Sequence, residues 1–263
     1  MGITPALPAA ELFALGTAGA FFAGLVNSVA GGGGLIQLPL LLGLLPTTVP
    51  ATVFGTNKTA SFFGTCAAAG RYAERALVPW RLILPAALAA FAASYAGSTL
   101  MTRLPVGLIR PLVLFLLVGV TVYTWFRKDF GAVDANHPVR RRTVALAIGV
   151  GIVLGFYDGF FGPGTGSFLI FAFIRLFGFD FLRASASAKW INLMTNLASV
   201  LAFGFAGHIL WGLGLAMAAG NVAGSLVGSH LALRHGSGFI RRVFLLASMV
   251  LIVKFGYDTF FRA

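Results

Sequence analysis

Cysteine, acidic residues and charge of either sign are scarce in this sequence: one Cys, seven Asp or Glu, and 10% charged residues in a chain of 263. Each shortage excludes something. A single thiol, Cys66, cannot close an intramolecular disulfide, and it says nothing about redox compartment. Four histidines, His137, His208, His230 and His235, show no metal-ligand spacing and read as loop or helix-end residues, so no metal site is expected. An intramembrane enzyme would need a nucleophile with its base, or a metal cluster, and no such set is apparent. No enzymatic activity and no cofactor are therefore expected.

What is there is apolar. Hydrophobic residues make up 58% of the chain and the mean hydropathy is +0.91, too greasy for a water-soluble domain of this length. The sequence reads as an all-α polytopic membrane protein. The net charge of +12 would suit a nucleic acid only if it were gathered on a soluble basic face. Instead the basic residues are scattered between apolar segments, as cytoplasmic loops are under the positive-inside rule. No nucleic-acid partner is expected; the lipid bilayer is. "MGITPALPAAE" carries no Lys or Arg ahead of the first apolar stretch, so no cleavable signal is expected either.

A spanning helix needs about 20 apolar residues. Proline, glycine and charge divide the chain into predicted helices near 9–30, 34–46, 50–70, 80–103 and 107–127, then 143–161, 165–179, 183–206, 209–233 and 238–261. The second of each five is short, which leaves open whether it spans or forms a re-entrant hairpin with its predecessor. Sliding the sequence against itself by 131 residues, without gaps, pairs Gly24 with Gly155, Gly31 with Gly162, Gly33 with Gly164, Lys58 with Lys189, Trp80 with Trp211 and Gly97 with Gly228. Residues 11–131 against 142–262 give 25 identities in 121 positions, about twice the tenth that composition alone would supply, which favours an internal repeat. Residues 1–128 and 143–263 are then two copies of one five-helix unit, joined by a cytoplasmic linker over 129–142.

Loop charge sets their relation. With the N-terminus outside and five crossings per copy, the arginines at 71, 75, 81, 140–142, 175, 183, 234, 241 and 242 all fall in cytoplasmic loops, together with Arg127 and Lys128; only Arg103, Arg110 and Arg262 face outside. Arg71, Arg75 and Arg81 are matched by Ala202, Ala206 and Gly212, a swap of charge that inversion requires. A five-plus-five inverted repeat with both termini outside follows, an arrangement typical of alternating-access transporters.

Two kinds of polar feature interrupt the helices. "AGGGG" in the first copy and "GFFGPGTGS" in the second break the chain at matching positions, and Pro163 fixes a turn there. Such a break exposes the amides of the following helix, which suit an anion; glycines that only allow close packing or a tight turn are the alternative. The next predicted helix carries Asn57, Lys58, Ser61 and Thr65, and in the second copy Ser185, Lys189, Asn192, Asn196 and Ser199 at spacings of four, three, four and three, one helical face. A lysine at mid-helix costs about 2.5–3.5 kcal/mol on insertion scales, so either it snorkels to the interface or it lines an internal cavity. Asp158, at the position of Asn27, is the one clear intramembrane acid; it could carry a coupling proton, pair with a lysine or cap the broken helix. Two lysines against one carboxylate favour an anionic substrate.

"GLVNSVAGGGGLIQLPLLL" with "GTNKTASFFG", and "GFYDGFFGPGTGSFLIF" with "SASAKWINLMTN", resemble the TauE/SafE family of bacterial membrane proteins over essentially the whole chain. The resemblance implies transport, usually export, of small sulfur-containing anions such as sulfite or organosulfonates across the inner membrane. The substrate-site residues expected are Lys58, Lys189, Asn57, Ser61, Asn192 and Asn196, with the helix starts at Gly32, Gly33 and Gly34 and at Gly164, Thr165 and Gly166, and Asp158 as the coupling candidate. An anion channel, a carrier of another small anion and a non-transport assembly factor are the alternatives.

Overall fold

The structure, a computed structural model, describes residues 8–105 and 141–234. The predicted helices at 107–127 and 238–261, and all but the end of the 129–142 linker, lie outside the described residues. Within them the fold is all-helical: α1 (Ala9–Ala30), α2 (Gly34–Leu44), α3 (Pro50–Ala73), α4 (Trp80–Arg103), α5 (Arg141–Phe160), α6 (Thr165–Phe177), α7 (Phe181–Phe205) and α8 (Trp211–Arg234). These stand close to the predicted bounds because the chain's own punctuation ends them. Gly31 takes a left-handed φ of 77° and its amide closes onto the Asn27 carbonyl, a C-cap that a residue with a Cβ would adopt only under strain. Pro50 opens α3 at a position where its missing N–H is no loss. Asp180 caps α7, its Oδ1 accepting the Arg183 amide at 2.7 Å.

Among the described residues four helices, α1, α4, α5 and α8, are long and apolar enough to cross a membrane. α3 and α7, with 24 and 25 residues, are long enough but carry the polar stripes. α2 and α6, with 11 and 13 residues, extend only about 16–20 Å, well short of a hydrocarbon core about 30 Å thick. Apolar side chains such as Phe22, Val153 and Phe205 face outward on the long helices, and Trp80 and Trp211 stand about half exposed at the starts of α4 and α8. That is the pattern of a multi-pass membrane protein with interfacial aromatics.

Close packing follows small residues. Gly151, Gly155 and Gly159 of α5 face the carbonyls of Ala86, Ala90 and Ser94 of α4, so the two helices run parallel, and no side chain fits between them. α1 and α8 also run parallel: Gly220, Gly224 and Gly228 of α8 sit against the carbonyls of Thr17, Phe21 and Leu25. Contacts recur at the 131-residue offset, Gly24 on Asn221 with Gly155 on Ala90, and Gly228 on Leu25 with Gly97 on Phe156. α3 and α7 cross antiparallel: Gly55, near the start of α3, packs on Phe203, near the end of α7, while Thr65 meets Asn196. The last two residues are themselves 131 apart.

Candidate functional site

The two glycine breaks meet. A Cβ on Gly166 would stand 2.6 Å from the Gly31 Cα, so only a pair of glycines lets the α1–α2 turn touch the start of α6. The last turn of α1 leaves carbonyls without helical partners, and side chains from elsewhere supply them. Tyr72 Oη donates to the Ser28 carbonyl at 2.9 Å and Ser167 Oγ to that of Ala30 at 2.7 Å, while Lys189 Nζ joins the Gly31 amide on that of Asn27. In the second break Tyr157 Oη donates to the Pro163 carbonyl at 2.8 Å and Thr165 Oγ1 to that of Gly162 at 2.7 Å. Irregular backbone buried in protein is thereby satisfied.

Both lysines are the ninth residue of their helices, Lys58 counted from Pro50 and Lys189 from Phe181, and both are buried, at 2% and 1% exposure. Neither snorkels. Their partners are also 131 residues apart: Lys58 Nζ of α3 pairs with Asp158 Oδ2 of α5 at 2.8 Å, and Lys189 of α7 takes the carbonyl of Asn27 of α1. Asp158 is thus a lysine partner near the end of α5 and not an N-cap. Among the described residues Lys58, Lys189 and Asp158 are the buried charged groups, which leaves one positive charge in excess.

Around this pair lies a small cavity of about 20 Å³, room for about one water. Asn57, Lys58 and Ser61 of α3 line it with Asn192 and Asn196 of α7, Asp158, Asn27, and the glycines at 31, 34, 162 and 166. Asn196 Nδ2 lies 3.3 Å from Asn192 Oδ1 and 3.5 Å from Thr65 Oγ1, which also accepts from Asn27 Nδ2 at 3.4 Å. Asn57 Oδ1 is buried without a partner. In the first turns of α2 and α6 the amides of Leu35, Ile36, Gln37, Thr165 and Phe168 have carbonyl partners, whereas those of Gly34 and Gly166, on the cavity wall, bond to none of the turn carbonyls. Residues bearing backbone amides, carboxamides and an ammonium thus line one small space, the group types that bind an oxyanion.

Of the residues singled out in the sequence, Lys58, Asn57, Ser61, Asn192, Asn196, Gly34, Gly166 and Asp158 come together on this cavity. Lys189 stands one layer behind it, through Asn27. Gly32, Gly33, Gly164 and Thr165 build the turns and lie outside the lining: Gly33 packs on Ala23 and Asn27, and Gly164 opens α6 at a φ of 85°. The polar face of α7 divides, because Ser199 turns to Ser98 Oγ at 2.9 Å and Ser94 at 3.1 Å on α4. Asn27 does more than its sequence reading as the neutral counterpart of Asp158, giving both a wall and a lysine acceptor. Sequence reasoning missed the buried Gln37–Asn221 hydrogen bond, 2.8 Å between α2 and α8. Its counterparts at the repeat offset are Phe168 and Ala90, so a search for matched polar pairs passes over it.

The chain belongs to the family described as Sulfite exporter TauE/SafE, whose sequence model matches residues 16–255. It is 36% identical to "Probable membrane transporter protein ORF9" of a Sinorhizobium species, over 89% of this chain and 88% of that protein. It is 34% identical to a "Probable membrane transporter protein" of Haemophilus influenzae, over 95% and 94% of the two chains. Escherichia coli YfcA, named in the same way, is 32% identical over 91% and 88%. No solved structure matches the chain to significance. A multi-pass membrane protein of a transporter family is what the fold and these relatives define together.

Proposed function

We propose that the protein is a secondary transporter of the bacterial inner membrane that exports small sulfur-containing oxyanions, such as sulfite or organosulfonates, by alternating access. The observation that carries this reading is the convergence of Lys58, four carboxamide residues and the backbone of Gly34 and Gly166 on one small cavity where the two glycine breaks meet. Lys58 supplies the contacting ammonium, while Lys189 stands behind it on the carbonyl of Asn27. The family's description supports the sulfur chemistry and the direction. A space of about 20 Å³, closed around the lysine, favours a carrier that must open over a channel with a standing pore.

The architecture we propose is ten membrane helices in two inverted five-helix copies, 1–128 and 143–263, with both termini outside. Antiparallel crossing of α3 and α7, which are counterparts at the 131-residue offset, supports inversion, since a parallel repeat relates them without reversal. Rocking one copy against the other around the fixed site would then expose it to each side in turn.

The test is transport in proteoliposomes with sulfite, sulfoacetate and sulfate. Removing Lys58 alone would strand a buried carboxylate, which costs about 3–5 kcal/mol, so Lys58→Met is made together with Asp158→Asn. This double variant and Lys189→Met are expected to fold and to lose transport by more than tenfold, as the loss of a charge-assisted hydrogen bond of about 1.5–3 kcal/mol dictates. Undiminished transport in the folded double variant would refute the anion site.

A further inference from the structure

The two lysines sit at matching positions and reach matching positions, yet they meet different chemistry. Lys189 meets a backbone carbonyl at position 27, and Lys58 meets a carboxylate at position 158. A carboxylate is itself an oxyanion, and here it is held at 2.8 Å by the ammonium that the cavity offers to a substrate. The remaining space holds about one water, less than an oxyanion with three oxygens occupies. Asp158 and a substrate cannot both take Lys58 in this arrangement.

We infer that Asp158 is a tethered competing anion: the substrate binds only when Asp158 takes up one proton and releases Lys58, so that anion and proton are bound together, one to one. This rests on the anion site proposed above and adds its coupling. The proton comes from the aqueous side open at that moment and bonds to a carboxyl oxygen of Asp158. The substrate oxygen then takes the place of that oxygen on Lys58. Loaded with a monoanion and a proton, the site carries the same net charge as when empty, so the occluded state is no worse off electrostatically with cargo than without.

Among the described residues Asp158 is the acid that faces Lys58. α3 presents Lys58, and α7 presents Lys189, which is engaged with Asn27. α1 presents the uncharged Asn27, its one acid, Glu11, being in its first turn. α4 presents Ser94 and Ser98, with its charged residues Arg81 and Arg103 at its ends, and α6 has Arg175 only in its last turn. The neighbouring Tyr157 hydroxyl is bound to the Pro163 carbonyl.

The experiment measures binding of methanesulfonate, whose charge is constant across the range, and of sulfite, to the detergent-solubilised protein between pH 5.5 and 8.5. Because a raised pH favours the ionised competitor, methanesulfonate affinity of the wild type is expected to fall about tenfold per pH unit once Asp158 must be protonated to admit it. Asp158→Asn, which is permanently neutral, is expected to bind at least as tightly as the wild type at low pH and to lose most of the slope. A pH dye in weak buffer, applied to the wild type alone, should report about one proton taken up per methanesulfonate bound, so the outcome does not depend on the variant folding. A variant that keeps the wild-type slope, a variant that melts like the wild type yet loses binding at every pH, or wild-type binding without proton uptake overturns the coupling while leaving the anion site standing. Binding of neither anion by wild type or variant at any pH overturns the anion site and the coupling with it.

Discussion

Gly31 and Gly166 decide how closely the halves of the site approach, and they do so for different reasons. Gly31 has both a left-handed φ of 77° and the Gly166 backbone where a Cβ would go; Gly166 has the close contact alone. Gly70, on the exposed side of α3, has nothing within 4 Å of a built Cβ. Replacing Gly31 with alanine should therefore destabilise the protein by about 1–3 kcal/mol from the backbone alone, with a further loss because Gly166 must move. Gly70→Ala should instead gain about 0.5–1 kcal/mol by reducing chain entropy within a helix. Thermal unfolding of the purified protein in detergent checks both, and equal melting of the two variants would show that Gly31 is neither held at a left-handed φ nor packed on Gly166. At this scale much of the site was legible. A lysine repeated 131 residues on, beside carboxamides at helical spacing, marked Lys58, Asn57, Asn192 and Asn196. What could not be read was that Lys189 is spent on the backbone carbonyl of Asn27, because a backbone acceptor leaves no letter in the sequence.

Helix pairing rests on glycine ladders four residues apart, and the two parallel pairs place theirs on different partners. In α4–α5 the ladder lies on α5, at Gly151, Gly155 and Gly159; in α1–α8 it lies on α8, at Gly220, Gly224 and Gly228. The counterparts of the first set at the repeat offset are Ala20, Gly24 and Ser28, and those of the second are Ala89, Ala93 and Gly97. Helix bounds were legible because glycine, proline and Asp180 end elements by local chemistry. The pairing was not, since a stripe of small residues says that something comes close without saying which helix. Gly155→Leu should separate α4 from α5 at the Ala90 carbonyl and destabilise by about 1–3 kcal/mol or more, as overpacking does. Gly149→Leu, six residues earlier on a side of α5 where no atom stands within 4 Å of a Cβ, should leave the melting temperature nearly unchanged. Equal losses would place the α4–α5 contact elsewhere.

For the whole molecule the question is which loops share a side of the membrane. Arg71, Arg75 and Arg81 flank the α3–α4 connection, while the α7–α8 connection has Ala202, Ala206 and Gly212 at the same places. The inversion proposed above puts the first in the cytoplasm and the second outside, as the positive-inside rule asks. Its premise is the antiparallel crossing of α3 and α7: if α3 runs inward, α7 runs outward, and the connections that follow them emerge on opposite sides. Arg75 and Ala206, 131 residues apart and both exposed, give a direct comparison. With Cys66, the one native thiol, replaced by alanine, Arg75→Cys and Ala206→Cys are each exposed to a membrane-impermeant maleimide in intact cells and again after permeabilisation. Ala206→Cys is expected to label in intact cells and Arg75→Cys only once the membrane is opened. Labelling of both from one side would mean that the copies are parallel, and α3 and α7 could then not cross antiparallel as full spans. The reverse pattern would keep the inversion and place both termini in the cytoplasm, where the arginine-rich linker would lose the side that its charge demands.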